Sequence, residues 1–107
     1  MSGTEFVSLI TFTARSGMGE AFLAAFSASG MLTRPQSIDG FVSAELIRQN
    51  DDDRNFAVIA RWKSPEAYAA WQSVSTSEAP RDALDQLGQA IEGAVFGSIW
   101  TPVQTSG

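Results

Sequence analysis

The stretch Gly40–Trp71, GFVSAELIRQNDDDRNFAVIARWKSPEAYAAW, constrains the fold more than any other part of the chain. Phe41–Gln49 and Phe56–Lys63 are rich in β-branched and aromatic residues and flank the polar loop Asn50-Asp51-Asp52-Asp53-Arg54, a pattern that predicts a β-hairpin. The second run passes directly into Ser64-Pro65-Glu66, where a serine suited to cap a helix precedes a proline whose fixed φ suits the first helical turn. A hairpin therefore feeds a helix. Trp62 ends the second strand, and Tyr68 and Trp71 follow within two helical turns, so three rings with polar tips gather at one strand-to-helix junction. That junction is the expected wall of any pocket.

The flanking segments complete the pattern. In Phe6–Thr13 the residues Phe6, Ile10 and Phe12 share one strand parity, and Val7 and Leu9 share the other. Apolar residues on both faces predict a central strand covered on two sides. Ser16-Gly17-Met18-Gly19 is turn chemistry, after which Met18, Phe22, Ala25, Phe26 and Ser29 recur at helical spacing, with Glu20 in the first turn. Arg34-Pro35 predicts the end of that helix by about Pro35. The helix that starts at Pro65 is expected to reach about Val74, with a break over Ser73–Pro80. From Arg81 a further helix places Leu84, Leu87 and Ile91 on one face and is expected to end near Gly93. Ala94–Val103, with Val95, Phe96, Ile99 and Trp100, reads as a closing strand halted by Pro102. Met1–Thr4 and Thr105–Gly107 read as loose ends.

The order strand, helix, strand, strand, helix pair, strand, joined by right-handed crossovers, predicts an α+β, ferredoxin-like βαββαβ fold with a four-stranded antiparallel sheet and helices on one face. The second, still apolar face is resolved if two sheets pack face to face, as in a dimeric α+β barrel. With 107 residues, 44% of them hydrophobic, the chain has material for one domain over residues 1–107. A chain this short leaves apolar surface that a second copy would cover, so a homodimer is expected.

Composition removes several function classes. A net charge of −5 with seven Lys and Arg provides no basic stripe for nucleic acid and no polybasic membrane anchor. Phe6–Phe12 is too short for a membrane span, and no basic residue precedes Glu5 as a secretion signal requires, so a cytoplasmic setting is expected. The chain has no Cys and no His, which removes disulfides, thiolate sites, the usual proton shuttle and any Ser-His-Asp triad. The Asp51–Asp53 run reads as a solvated loop, because three sequence neighbours cannot converge on one ion. No metal site is expected.

Gly40-Phe41, then Ala60-Arg61-Trp62-Lys63-Ser64-Pro65-Glu66-Ala67-Tyr68, then Arg81-Asp82-Ala83-Leu84 and a closing strand ending Trp100-Thr101-Pro102 resemble the antibiotic biosynthesis monooxygenase domains. The resemblance covers almost the whole chain and implies a dimeric α+β barrel. Its nearest branch oxidises aromatic polyketide anthrones to quinones without metal or flavin, which implies no cofactor, with a small aromatic substrate and molecular oxygen as partners. Trp62, Tyr68 and Arg81 fall at positions resembling that branch's functional Trp, Tyr and Arg. The family's Asn, four residues before the Trp, is Val58 here, a departure that removes an amide able to polarise a substrate. Asn55 lies on the opposite strand parity and is no substitute. The haem-degrading branch needs an iron-ligating His that this chain lacks.

The catalytic set implied is Tyr68 to manage a proton, Trp62 to orient rings and Arg81 to steady an anionic oxygen. Trp71, Phe56, Val58, Phe12, Phe22 and Trp100 are the expected substrate-binding residues. Structural readings stand beside these roles. Each Trp can instead close a core, and Arg81 can instead pair with Glu78 or Asp85. Glu45, on an otherwise apolar parity, can face a dimer seam or pair with Arg61. The same scaffold also suits a polyketide cyclase or a non-catalytic dimer that binds aromatic ligands.

Overall fold

A computed structural model describes residues 5–101 and 103. The expected stop at Pro102, the lead-in Met1–Thr4 and the tail Thr105–Gly107 lie outside the described residues. The elements run β1 (Phe6–Ala14), α1 (Gly19–Ala28), a 3-10 turn (Arg34–Ser37), β2 (Phe41–Arg48), β3 (Asn55–Trp62), α2 (Pro65–Ser75), α3 (Arg81–Ala90) and β4 (Ile91–Trp100). The four strands pair antiparallel in the order β2-β3-β1-β4, the ferredoxin-like arrangement. β1 is central, as its two apolar parities require.

The helices cover one face. Phe12 and Ala14 of β1 and Phe56, Ala60 and Trp62 of β3 turn toward them and are buried. The opposite face carries rows such as Ser43-Arg61-Val7-Trp100 and Glu45-Ile59-Leu9-Ser98, aligned by the strand register. There Trp100 and Ile47 are exposed and Leu9 and Ile59 are only half-buried. Glu45 lies opposite Ile59, not Arg61, and is exposed.

Two boundaries differ from the sequence pattern. α1 stops at Ala28, short of Pro35, because Gly30 takes a left-handed φ of 72° and Ser29 Oγ donates a hydrogen bond back to the Phe26 carbonyl. α3 stops at Ala90 and β4 begins at once, without the expected extension to Gly93. Ile91 is extended and pairs with Ala14, and the Arg15 N–H donates to the Ala90 carbonyl at 2.8 Å. Sheet pairing outweighs the helical spacing of Ile91.

The hairpin-to-helix junction forms as its residues require. The Ala67 N–H donates to Ser64 Oγ at 3.2 Å, with Pro65 as the first helical residue. Gly40 sits at φ 94°, its carbonyl accepts the Lys63 N–H at 2.7 Å, and a Cβ there would stand 2.8 Å from Ala67 Cβ. Only glycine lets the start of β2 lie this close to α2.

The buried residues form two clusters. One joins Phe12, Phe22, Phe26, Phe56 and Leu87 beneath α1 and α3, and the other joins Ala60, Trp62, Ala67, Tyr68 and Trp71 beneath α2. Met31 packs against both. This division of the core leaves space between the clusters.

Candidate functional site

That space is a cavity of about 520 Å³. Its floor is Ile10, Phe12 and Val58 of the sheet, where Ile10 and Val58 are register partners. Tyr68 and Trp71 on α2 form one wall, and Leu84 and Leu87 on α3 form the other. Gln72, Thr76 and Gly88 are exposed members of the lining and mark the mouth. Among the described residues, none that lines it is charged.

Tyr68 is 3% exposed, and its Oη is buried without a hydrogen-bond partner. Burial raises its pKa above the ordinary 10.0, opposed by Gln72 one turn on, whose amide stands near without completing a hydrogen bond. The phenol is therefore neutral across the physiological range. It can donate a proton in a hydrogen bond, but it is not a base there. Leaving a buried hydroxyl unpaired costs about 1–3 kcal/mol, so the wall holds a donor that finds no acceptor among the described residues.

The structure gathers only part of the residue set expected from sequence. Tyr68, Trp71, Val58 and Phe12 line the cavity. Trp62 does not: it is 1% exposed, its Nε1–H donates to Ser8 Oγ at 2.9 Å, and its ring stands 5.6 Å behind that of Tyr68. Its polar tip is already used inside the protein. Phe22 and Phe56 lie deeper in the first cluster, with ring centroids 4.6 Å apart and the Arg48 guanidinium over Phe56. Phe56 also borders a separate recess at the hairpin end of the sheet. Trp100 is 55% exposed on the helix-free face, where it pairs opposite Val7. Arg81 is exposed at the start of α3, outside the lining, and makes no ion pair with Glu78 or Asp85 among the described residues. Asn55 bonds Thr13, Gln49 and Asp52, away from the cavity. Among the described residues no three His, Cys, Asp or Glu side chains gather as a metal ion would need.

Two residues escaped the sequence reading. Ser8 interrupts the apolar parity of Phe6, Ile10 and Phe12, and that interruption was the available signal for a buried partner of an indole. Arg34 had no local signal. Its Nε–H donates to the Ser29 carbonyl at 2.9 Å, Nη1 to the Val74 carbonyl at 3.3 Å and Nη2 to the Ser75 carbonyl at 2.6 Å, while the guanidinium lies 5.0 Å from the Trp71 ring centroid. α2 has no basic residue in its last turn, and Arg34 supplies the cation there from a distant segment. It thereby ties the ends of α1 and α2 together and fixes the outer side of the cavity wall. Arg34→Met is expected to lower stability by about 2 kcal/mol, since it frees three partly buried carbonyls from charge-assisted bonds. The midpoint of urea unfolding checks this, and an unchanged midpoint would refute the clamp.

Comparison with known proteins gives the following. A family model described as antibiotic biosynthesis monooxygenase matches residues 6–93. No curated protein matches the chain. Among solved structures, SnoaB, a cofactor-independent oxygenase from Streptomyces nogalater, superposes with a TM-score of 0.69 at 22% identity, covering 96% of this chain and 97% of that one. A dimeric ferredoxin-like protein from an uncultured marine organism gives a TM-score of 0.77 at 13% identity, covering 98% and 93%. Rv0793 from Mycobacterium tuberculosis gives 0.70 at 18% identity, covering 96% and 99%. At these identities the likeness to solved structures carries the fold and nothing finer. Among the described residues no helix is long and apolar enough to cross a membrane.

Proposed function

The chain belongs to the antibiotic biosynthesis monooxygenase family, and we propose that it is a cofactor-independent monooxygenase that oxidises a phenolic, fused-ring substrate of the anthrone type to a quinone. The observation that carries this reading is the apolar cavity between the two core clusters, with an unpartnered tyrosine hydroxyl buried in its wall. An anthrone is electron-rich and acidic at its central methylene, so its enolate can itself pass electrons to oxygen. The protein then needs to hold the rings, limit water and steady developing charge.

The residues divide these tasks. Trp71 on one side and Leu84 and Leu87 on the other bracket the rings, with Ile10, Phe12 and Val58 beneath. Tyr68, held neutral by its burial, donates a hydrogen bond to the phenolic or enolic oxygen as negative charge develops there. The methylene proton passes to water at the mouth beside Gln72. One atom of dioxygen becomes the new carbonyl oxygen and the other leaves as water with the two methylene hydrogens, a four-electron oxidation matched by the four-electron reduction of O₂. Trp62 supports Tyr68 from behind and is a positioning residue. Arg81, outside the lining, has no part in this scheme.

Aerobic incubation with anthrone is expected to consume one O₂ per quinone formed, above the rate in buffer. Oxygen uptake that does not exceed the buffer rate refutes the reading. A second reading is supported by Val58 in place of an amide and by the occupied indole N–H of Trp62: a dimer that binds aromatic ligands without turnover. Tryptophan quenching by anthrone with no oxygen uptake favours it. Both readings include a homodimer through the helix-free sheet face, on which Trp100 and Ile47 are exposed, and a cytoplasmic setting.

A further inference from the structure

We propose that this cavity admits neutral fused-ring ligands and rejects their carboxylated counterparts. The inference rests on the reading that the cavity is where a fused-ring ligand binds, but not on any turnover there. The lining runs through Ile10, Phe12, Val58, Trp71, Leu84 and Leu87, and its polar members are uncharged: Tyr68, Gln72, Ser75 and Thr76. An ionised carboxylate taken out of water into such a site meets no cation to replace its hydration, and that penalty is much larger than the one for an amide or hydroxyl of the same size.

The cations outside the lining do not compensate. Arg34 lies outside the lining, its guanidinium 5.0 Å from the Trp71 ring centroid, with three N–H groups bonded to the carbonyls of Ser29, Val74 and Ser75 and Nη2 also donating to Met31 Sδ. Arg81 stands one turn before Leu84 on α3 but is exposed and outside the lining. Glu78 and Asp85, both exposed, lie on the segments that border the mouth, and the chain carries a net charge of −5. Each of these disfavours an incoming anion. Tyr68 offers a donor to a ligand oxygen, and a carbonyl, phenol or amide satisfies it without bringing charge inside.

Anthraquinone-2-carboxamide and anthraquinone-2-carboxylate form a shape-matched neutral and anionic pair. Tryptophan quenching and calorimetry at pH 7 are expected to show the carboxamide binding about tenfold or more tightly than the carboxylate. Gln72→Arg, at an exposed position of the mouth, is expected to raise the affinity for the carboxylate relative to the carboxamide about tenfold. No gain from this substitution overturns the attribution to missing positive charge. Equal affinity for the two probes, or tighter binding of the carboxylate, overturns the proposal and leaves the ring-binding reading intact. If that affinity is lost in Arg81→Ala, the anion is held by Arg81 from outside the lining. Binding of neither probe overturns both.

Discussion

Phe22→Ala is expected to lower the unfolding free energy by about 3–5 kcal/mol, the range for removing a fully buried aromatic ring from a packed core. Phe22 is 0% exposed and touches three other rings, with centroids 5.5 Å from Phe12, 5.6 Å from Phe26 and 4.6 Å from Phe56. Each such pair contributes about 0.5–1.5 kcal/mol beyond the area it buries. The neighbours cannot collapse into the space left behind, because Phe12 and Phe56 are held by sheet register and Phe26 by α1. A domain of this size is stable by only about 5–15 kcal/mol in total, so the variant would be near its limit. Denaturant titration followed by far-UV dichroism measures the loss, and a loss below about 1 kcal/mol would show that the cluster is loosely packed. Phe12 is shared between this cluster and the cavity floor, so the rigidity of the floor depends on the Phe22 ring.

The second large effect is a divergence between stability and turnover. Tyr68→Phe removes a hydroxyl that is buried and unpartnered, so the variant is expected to be about 1 kcal/mol more stable than the parent. Under the proposed function the same change removes the donor assigned to the developing enolate charge, and quinone formation is expected to fall about 10²-fold. Destabilisation by the substitution would mean that the hydroxyl has a partner in the folded protein. Full activity would exclude Tyr68 from the chemistry.

The pH dependence follows from the same burial. The folded-state pKa lies above the ordinary 10.0, so the titration of Tyr68 leaves stability unchanged below pH 10 and lowers it as pH rises from the unfolded value through the folded one. No slope from Tyr68 appears between pH 6 and pH 9, and the parent-minus-Phe difference in stability should decline only on the alkaline side. Tyr68 is the only tyrosine in the chain, so the rise of tyrosinate absorbance reports its titration directly.

The elements, their order and the fold class were legible along the chain, because the signals for them are local. Alternation in Phe6–Thr13, helical spacing from Met18 to Phe26, and the Ser64-Pro65 start each depend on near neighbours, and each is present in the fold. The family was legible for the same reason, since the central piece of its signature, Ala60–Tyr68, lies in one continuous stretch across β3 and α2. Which of the three tryptophans meets the cavity was a tertiary matter. Trp71 reaches it by its place on α2, whereas Trp62 is turned into the core and bonded to Ser8, 54 positions away in the chain. Trp100 depends on register: Ala94 pairs with Phe12 on the helix side, and regular alternation would put Trp100 on that side too. The register shift between Leu9 and Thr11 adds one residue on β4 and turns Trp100 to the opposite face. Arg34 joins the ends of two helices that only the folded chain brings together. Periodicity reports which side of its own element a residue occupies, but long-range pairing decides what that side faces.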